Sequence, residues 1–113
     1  MKLHRKNKPI HAYIEENARL DPDKTAIYFY GRSIKYGELV SYIHRTAKFL
    51  LEHGVKKGDT VALFMQNSPQ FIIGYFAAQK IGAIAAPCNP MFKEWELEYQ
   101  LNDLNAKVIL VAD

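Results

Sequence analysis

The sequence has too few cysteines and too short apolar runs for several classes of protein. Its one cysteine, Cys88, excludes an intramolecular disulfide and a cluster of thiolate metal ligands. Such cysteine usage is typical of a reducing compartment, so we expect a cytoplasmic location. The most apolar region, 72–88, is interrupted by Gln79 and Lys80 and falls short of the about 20 residues that cross a bilayer. We therefore expect no transmembrane segment, and no export signal is visible.

The sequence also lacks the low hydrophobicity and high net charge of disordered chains. Its 113 residues are 49% hydrophobic with a net charge of +3, which predicts one folded domain. The exception is residues 1–8, where we expect a disordered basic arm with positive charge at Lys2, His4, Arg5, Lys6 and Lys8. Because no aromatic residue is interleaved with these bases, we expect no nucleic-acid partner.

Periodicity in the first half predicts a helix, a hairpin and a longer helix. Apolar residues recur at helical spacing over 10–20. Two β-branched and aromatic runs, 25–30 and 33–36, flank Gly31-Arg32, which predicts a β-hairpin with a two-residue turn. Residues 38–53 carry one apolar stripe and are followed by Gly54, so we expect an amphipathic helix with a C-terminal glycine cap.

The second half has the pattern of a parallel sheet. The runs 60–65, 81–86 and 107–111 are almost continuously apolar, as in strands buried on both faces. Ser68 and Pro69 begin a helix between the first two runs, and its predicted inward face is Phe71, Ile72, Tyr75, Phe76 and Gln79. A helix over 93–104 joins the second and third. The fold class is therefore α/β, with a βαβαβ unit after the N-terminal helix, hairpin and long helix.

No residue of the sequence is assigned a catalytic, cofactor-binding or metal-binding role. Residues 54–60 are the one candidate for a phosphate-binding loop, but they lack the Gly-Lys-Ser/Thr ending and lead into a strand, so a helix cap and surface turn is favoured. We interpret the four histidines His4, His11, His44 and His53 as ordinary surface residues, because they lack the spacing and carboxylate context of a helical metal site.

Three other groups have a structural and a functional interpretation, and the structural one is favoured each time. Cys88 ends a strand with no histidine nearby in sequence, which favours a buried thiol over a nucleophile. Acids in the first turns of a helix interact favourably with its dipole, which explains Glu94, Glu96 and Glu98 better than paired catalytic carboxylates. Core packing is favoured over base stacking for the hairpin aromatics Tyr28, Phe29, Tyr30 and Tyr36.

Several motifs, in their order along the chain, resemble the N-terminal part of AMP-forming acyl-CoA synthetases, members of the adenylate-forming superfamily. The first half contributes Asp21-Pro22-Asp23, Tyr36-Gly37-Glu38-Leu39 and the segment 54–62, GVKKGDTVA. The second half contributes Asn67-Ser68-Pro69, Lys80-Ile81-Gly82-Ala83 and Pro87-Cys88-Asn89-Pro90. Asn89 resembles the acyl- and aryl-CoA ligases, whereas amino-acid-activating domains tend to have aspartate there. The run 96–103, ELEYQLND, is most like the long-chain fatty acid enzymes.

The resemblance implies a parent enzyme that activates a carboxylic acid, expected to be a fatty acid, with ATP and Mg²⁺ and transfers the acyl group from the adenylate to CoA. The family's Gly-rich phosphate loop, adenine-binding stretch, ribose-binding aspartate and C-terminal lysine have no counterpart in this sequence. We therefore expect residues 9–113 to be the N-terminal portion of the large AMP-binding domain, truncated after the strand 107–111. We expect this portion to be inactive by itself and to bind no ATP, Mg²⁺ or CoA.

Two further expectations concern partners. Beside the scaffold of a ligase, the alternative is a stand-alone, non-catalytic interaction module with the same fold. In either case an uncovered sheet face or edge, with residues 108–110 or the basic arm at the contact, predicts self-association. The remainder of the parent enzyme is the other expected partner, and the family resemblance allows peripheral membrane association of that parent.

Overall fold

The computed structural model describes residues 10–112, in which helices and strands alternate after an initial helix and hairpin. The elements are α1 (Ile10–Leu20), β1 (Thr25–Phe29), β2 (Arg32–Lys35), α2 (Tyr36–Glu52), β3 (Thr60–Phe64), α3 (Pro69–Lys80), β4 (Ile84–Cys88), α4 (Glu94–Leu104) and β5 (Ala106–Val111). Strands β1 and β2 form an antiparallel hairpin, and β4, β3 and β5, in that spatial order, form a parallel sheet. The predicted α/β class and the βαβαβ unit are confirmed. The basic arm predicted over 1–8 lies outside the described residues.

The hairpin turn lies one residue earlier than predicted. Phe29 pairs with Arg32, so the two turn residues are Tyr30 and Gly31 rather than Gly31 and Arg32. Their φ angles are 49° and 76°. Two positive φ values are typical of the type I′ turn, whose twist matches that of the strands it joins. Gly31 therefore occupies the second turn position, and Arg32 is the first residue of β2.

Helices α2 and α3 end in the same hydrogen-bonded motif, and this motif delays the start of β4. After α3, the Gly82 N–H donates to the Gln79 carbonyl at 3.0 Å and the Ala83 N–H to the Ala78 carbonyl at 2.9 Å. These are the two bonds of a Schellman motif, and Gly82 has the positive φ, 78°, that the motif requires. The predicted strand over 81–86 is therefore wrong at its start, because residues 81–83 close the helix and the strand begins at Ile84.

Only the central strand of the parallel sheet is buried on both faces. Val61, Ala62 and Leu63 of β3 have no exposed surface, whereas Ile84 in β4 and Val111 in β5 are more than half exposed. The prediction of two-sided burial is therefore confirmed for β3 and wrong for the other two strands. The physical reason is their position, since β4 and β5 are the edges of the sheet among the described residues.

The core lies between the sheet and helices α2 and α3. Helix α2 buries the predicted stripe through Leu39, Ile43, Ala47 and Leu50. The predicted inward face of α3 is confirmed only in part: Phe71, Ile72, Tyr75 and Phe76 are half-buried and pack against the core, but the fully buried residues are Gly74, Ala77 and Ala78. Small residues face the sheet because the helix lies so close to it: a Cβ at position 74 would be 3.1 Å from Leu63 Cδ2.

Within residues 10–112, no helix has the length and apolar character needed to span a membrane.

Candidate functional site

The carboxyl ends of the three parallel strands meet at one edge of the sheet. In doubly wound α/β folds, ligands bind outside this edge, where connections to neighbouring strands run in opposite directions. In this chain the connection from β3 leads to β4 on one side of it, and β5 lies on the other side. The ligand site expected for such a fold is therefore at the carboxyl ends of β3 and β5. The residues that follow β3 begin with Met65 and include the Ser68 cap of α3.

Three adjoining cavities lie at this edge, and we call them together the carboxyl-edge groove. The largest, about 470 Å³, is lined by Phe29, Tyr30, Phe64, Met65, Gln66, Asn67, Ser68, Gln70, Pro90, Val111 and Ala112. A second, about 390 Å³, is lined by Phe29, Arg32, Ile34, Tyr42, Pro69, Gln70 and Ile73. The third, about 270 Å³, is lined by Tyr42, Thr46, Met65, Gln70, Ile73, Gly74, Leu110 and Val111. Gln70 is common to all three, so the groove surrounds the first turn of α3.

The chemistry of the carboxyl-edge groove is that of binding. Its walls are mostly apolar and aromatic, with the amides of Gln66, Asn67 and Gln70, and Arg32 is the one charged side chain among its described lining residues. The Ser68 hydroxyl already accepts a hydrogen bond from the Phe71 N–H at 3.3 Å, as an N-cap does. Such a lining suits an apolar ligand with neutral polar groups, and it offers no paired acid and base.

The candidate phosphate loop, 54–60, lies at the opposite edge of the sheet. Most of its N–H groups are occupied: those of Gly54 and Val55 bond the end of α2, Gly58 donates to the Gly82 carbonyl, and Asp59 donates to the Lys56 carbonyl. The Lys56 N–H donates to Asp59 Oδ2 at 2.8 Å. A phosphate cradle needs free N–H groups pointing at the anion. The segment is therefore a helix cap and turn, as the favoured interpretation had it.

A cluster that the sequence pattern did not predict is centred on Glu15 and joins three helices. Its carboxylate accepts a hydrogen bond from Lys80 at the end of α3, and Oε1 lies 3.3 Å from His44 Nε2 on α2. His11 Nδ1, one turn earlier on α1, is 3.8 Å away and has no hydrogen-bond partner. The bond from Lys80 is the largest cause that lowers the pKa of Glu15, with His44 acting in the same direction and desolvation opposing them.

The interpretation of all four histidines as ordinary surface residues is wrong for His11. The side chain of His11 is 16% exposed. His11 and His44 both lie beside the Glu15 carboxylate, a neighbour that the sequence pattern did not indicate. The four-residue spacing of His11 and Glu15 could have indicated their contact from the sequence. The contact of Glu15 with His44 could not have been found in this way, because it depends on packing of α1 against α2. His53 stacks on Phe49 with ring centroids 4.1 Å apart, and His4 lies outside the described residues. No metal-binding group of three or more acidic, histidine or cysteine side chains occurs within 10–112.

Cys88 and the acids of α4 lie where the structural interpretations place them. Cys88 is buried, and desolvation raises the pKa of its thiol, which opposes formation of the nucleophilic thiolate. Glu96 accepts a hydrogen bond from the Lys93 N–H at 3.1 Å and so stabilises the start of α4. Glu94 and Glu98 are exposed in the first turns of the same helix.

The hairpin aromatics do not all belong to the core. Tyr28 and Tyr30 are 73% and 93% exposed, which contradicts the expectation of core packing for these two. Phe29 and Tyr36 are partly buried, and Phe29 forms a wall of the carboxyl-edge groove. The alternation along β1 explains the difference between Tyr28 and Phe29, because successive side chains point to opposite faces of a strand, whereas Tyr30 lies in the turn.

Comparison with known proteins gives a family match over most of the chain. The sequence profile of the family described as AMP-binding enzyme matches residues 14–113. The long-chain-fatty-acid–CoA ligase of Bacillus subtilis (strain 168) is 38% identical over 107 residues, which are 95% of this chain and 19% of that ligase. The acetyl-coenzyme A synthetase of Penicillium chrysogenum is 36% identical over 106 residues, which are 88% of this chain and 16% of the synthetase. The chain thus spans less than a fifth of the length of these curated relatives.

Among solved structures, the inhibitor-bound N-terminal domain of FACL13 from Mycobacterium tuberculosis has the same fold. It superposes with a TM-score of 0.84 at 31% sequence identity, and the match covers 92% of this chain and 27% of that domain. The helix, hairpin and parallel sheet described above therefore occur together in a larger N-terminal domain of an experimentally determined structure.

Proposed function

Because the chain belongs to the AMP-binding enzyme family, we propose that it is the N-terminal scaffold of an AMP-forming acid–thiol ligase. The parent would activate a carboxylic acid with ATP and Mg²⁺ to an acyl-adenylate and transfer the acyl group to the thiol of CoA. The observation that carries this proposal is the 38% identity to a CoA ligase over 95% of the chain.

The contribution of this segment is to hold the frame of the large domain. Gly37, at the start of α2, lies against Pro22 so closely that a Cβ there would be 3.3 Å from Pro22 Cβ. The Gly37 N–H donates to the Pro22 carbonyl and the Tyr36 N–H to the Lys24 carbonyl, both at 3.0 Å. These contacts join the two motifs of the first half, around Pro22 and around Gly37, into one structural unit.

We propose that the described residues do not hold the nucleotide themselves. Five N–H groups of the loop 54–60 are bonded within the protein, and the carboxyl-edge groove has a single charged residue, Arg32, among its described lining residues. We propose that the groups that bind ATP, Mg²⁺ and CoA come from elsewhere in the parent. We also propose a fatty acid as the substrate, on the strength of the run 96–103 and of the similarity to a long-chain-fatty-acid–CoA ligase.

A chimeric enzyme tests the proposal. The matching segment of the Bacillus subtilis ligase is replaced by this chain, and release of pyrophosphate is measured with and without a long-chain fatty acid. We expect fatty-acid-dependent pyrophosphate release and, when CoA is added, formation of the thioester. A matched chimera carrying Gly37→Val, which forces a side chain against Pro22, should lose activity through misfolding of the frame. A folded first chimera without adenylation would contradict the proposal and favour the non-catalytic module.

A further inference from the structure

Helix α4 has two apolar sides, and only one of them packs against the fold. Leu97, Leu101 and Leu104 recur at helical spacing and are partly buried. At about 100° per residue, Trp95 and Tyr99 lie on the opposite side of the helix. They line a shallow depression of about 340 Å³ together with Phe92, Glu96, Gln100 and Asp103, and we call this surface the α4 outer face.

The aromatic rings of the α4 outer face are largely in solvent. Trp95 is 69% exposed and Tyr99 is 74% exposed. Tryptophan and tyrosine are the residues most enriched in the energetically dominant part of protein interfaces. Because no described residue of the chain covers them, they are available in this chain to a second polypeptide packed on α4.

The charge of α4 indicates what kind of polypeptide this is. The helix contains four acids, Glu94, Glu96, Glu98 and Asp103, and no lysine, arginine or histidine, and two of the acids, Glu96 and Asp103, line the α4 outer face. Among the described residues, none of these four carboxylates forms an ion pair with a basic side chain, and Glu96 is bonded to a backbone N–H. An acidic surface with exposed aromatic rings attracts lysine and arginine side chains through both ionic and cation–π interactions.

The chain itself contains a segment with the complementary composition. Residues 2–8 carry four bases, Lys2, Arg5, Lys6 and Lys8, together with His4 and the apolar Leu3. Extended, these seven residues span about 23 Å, comparable with the about 17 Å length of the 11-residue helix α4. We propose that residues 2–8 of one copy dock on the α4 outer face of a second copy. This proposal does not depend on the ligase function.

Trp95 is the only tryptophan of the chain, so its fluorescence reports on this face alone. The full chain is studied from about 1 to about 100 μM by sedimentation and by tryptophan emission. We expect a dimer to form with increasing concentration, with emission moving to shorter wavelength as Trp95 leaves water. Raised salt should weaken the dimer, because the contact is largely ionic.

Charge-removing variants identify the two sides of the contact. Arg5→Gln combined with Lys6→Gln, and separately Asp103→Asn combined with Tyr99→Ala, should each raise the dimer dissociation constant about tenfold or more. The matched control, Lys24→Gln combined with Lys48→Gln, removes the same charge from exposed positions elsewhere and should leave it unchanged. Unfolding midpoints show that the variants are folded.

Three results would overturn the proposal. The first is a monomer at about 100 μM, well above the dissociation constants typical of specific dimers. The second is a dimer whose formation leaves Trp95 emission unchanged. The third is a change in emission on removing the bases that does not depend on concentration, which would place the segment on the α4 of its own chain.

Discussion

At the scale of single residues, two glycines end the helices that precede β3 and β4. Gly54 and Gly82 have φ angles of 85° and 78° and follow α2 and α3. Each is succeeded by a buried apolar residue, Val55 and Ala83 respectively, whose N–H bonds back to the helix. Positive φ is costly for a residue with a Cβ, so these positions favour glycine.

We predict that Gly82→Val lowers the free energy of unfolding by roughly 1–3 kcal/mol through backbone strain. A Cβ at this position would also lie 3.0 Å from Lys57 Cγ, the middle of a flexible side chain. Chemical denaturation measures the change, and two variants separate the causes. Gly82→Asn should lose less, because asparagine tolerates positive φ, and Lys57→Ala should not rescue Gly82→Val. An unchanged midpoint for Gly82→Val would contradict the strained turn.

The charge of Glu15 contributes to the contact of α1 with the rest of the fold. Its carboxylate faces His11 on α1, His44 on α2 and Lys80 on α3, and the pKa of Glu15 is lowered from 4.5, mainly by the hydrogen bond from Lys80. Because the pKa of Glu15 is lower in the folded chain, its charge stabilises the fold fully at pH values above the unfolded-state pKa. This stabilisation is lost as the pH falls through the folded-state pKa.

We predict that Glu15→Gln removes about 0.5–1 kcal/mol of stability above pH 4.5, the magnitude expected of a partly exposed ion pair. The difference from the wild type should shrink as the pH falls below 4.5. Urea denaturation at a series of pH values measures it. Glu52→Gln, which removes an exposed carboxylate at the end of α2, is the control and should change stability little. A Glu15→Gln deficit that grows on acidification would contradict a lowered pKa for Glu15 in the folded chain.

At the scale of elements, α3 depends on small residues where it crosses the sheet. Gly74 allows the helix to approach Leu63 and Leu110, whose side-chain atoms would lie 3.1 and 3.2 Å from a Cβ. We predict that Gly74→Val lowers the free energy of unfolding by about 2–3 kcal/mol through overpacking. Gln70→Val, at an exposed position of the same helix, controls for the helix propensity of valine and should change stability by about 0.5 kcal/mol. Thermal unfolding of both variants checks this, and equal effects would contradict the close approach.

The sequence predicts which elements form better than it predicts which faces they bury. Periodicity and caps identify α2 and α3 because these signals are local, as with Ser68 and Gly54. The buried face of α3 could not be found in this way. Aromatic residues are expected in the core, whereas the point where α3 comes closest to the sheet requires a glycine. The same limitation applies to the Glu15 cluster and the carboxyl-edge groove, whose members come from different elements.

At the scale of the whole molecule, the amino ends and the carboxyl ends of the parallel strands have different roles. At the amino ends, hydrogen bonds connect the segments that lead into the strands, and one of them runs from the Ile84 N–H to the Asp59 carbonyl at 2.8 Å. The edge where they end is open and lined by the carboxyl-edge groove. Ligand binding in α/β sheets occurs at the second kind of edge, so the loop 54–60 is on the wrong side for nucleotide.

We therefore predict that the 113-residue chain alone shows no Mg-ATP binding in the micromolar range by calorimetry and forms no adenylate. The physical reason is that binding the phosphates requires several aligned N–H donors and cations, and the glycines of the loop 54–60 make their hydrogen bonds within the protein. The ligase chimera, measured in the same way, is the positive control. Micromolar binding by the chain would contradict the prediction, and Lys56→Gln and Lys57→Gln would then test whether this loop is the site. Loss of binding in those variants would show that the lysine side chains of this loop contribute to the site.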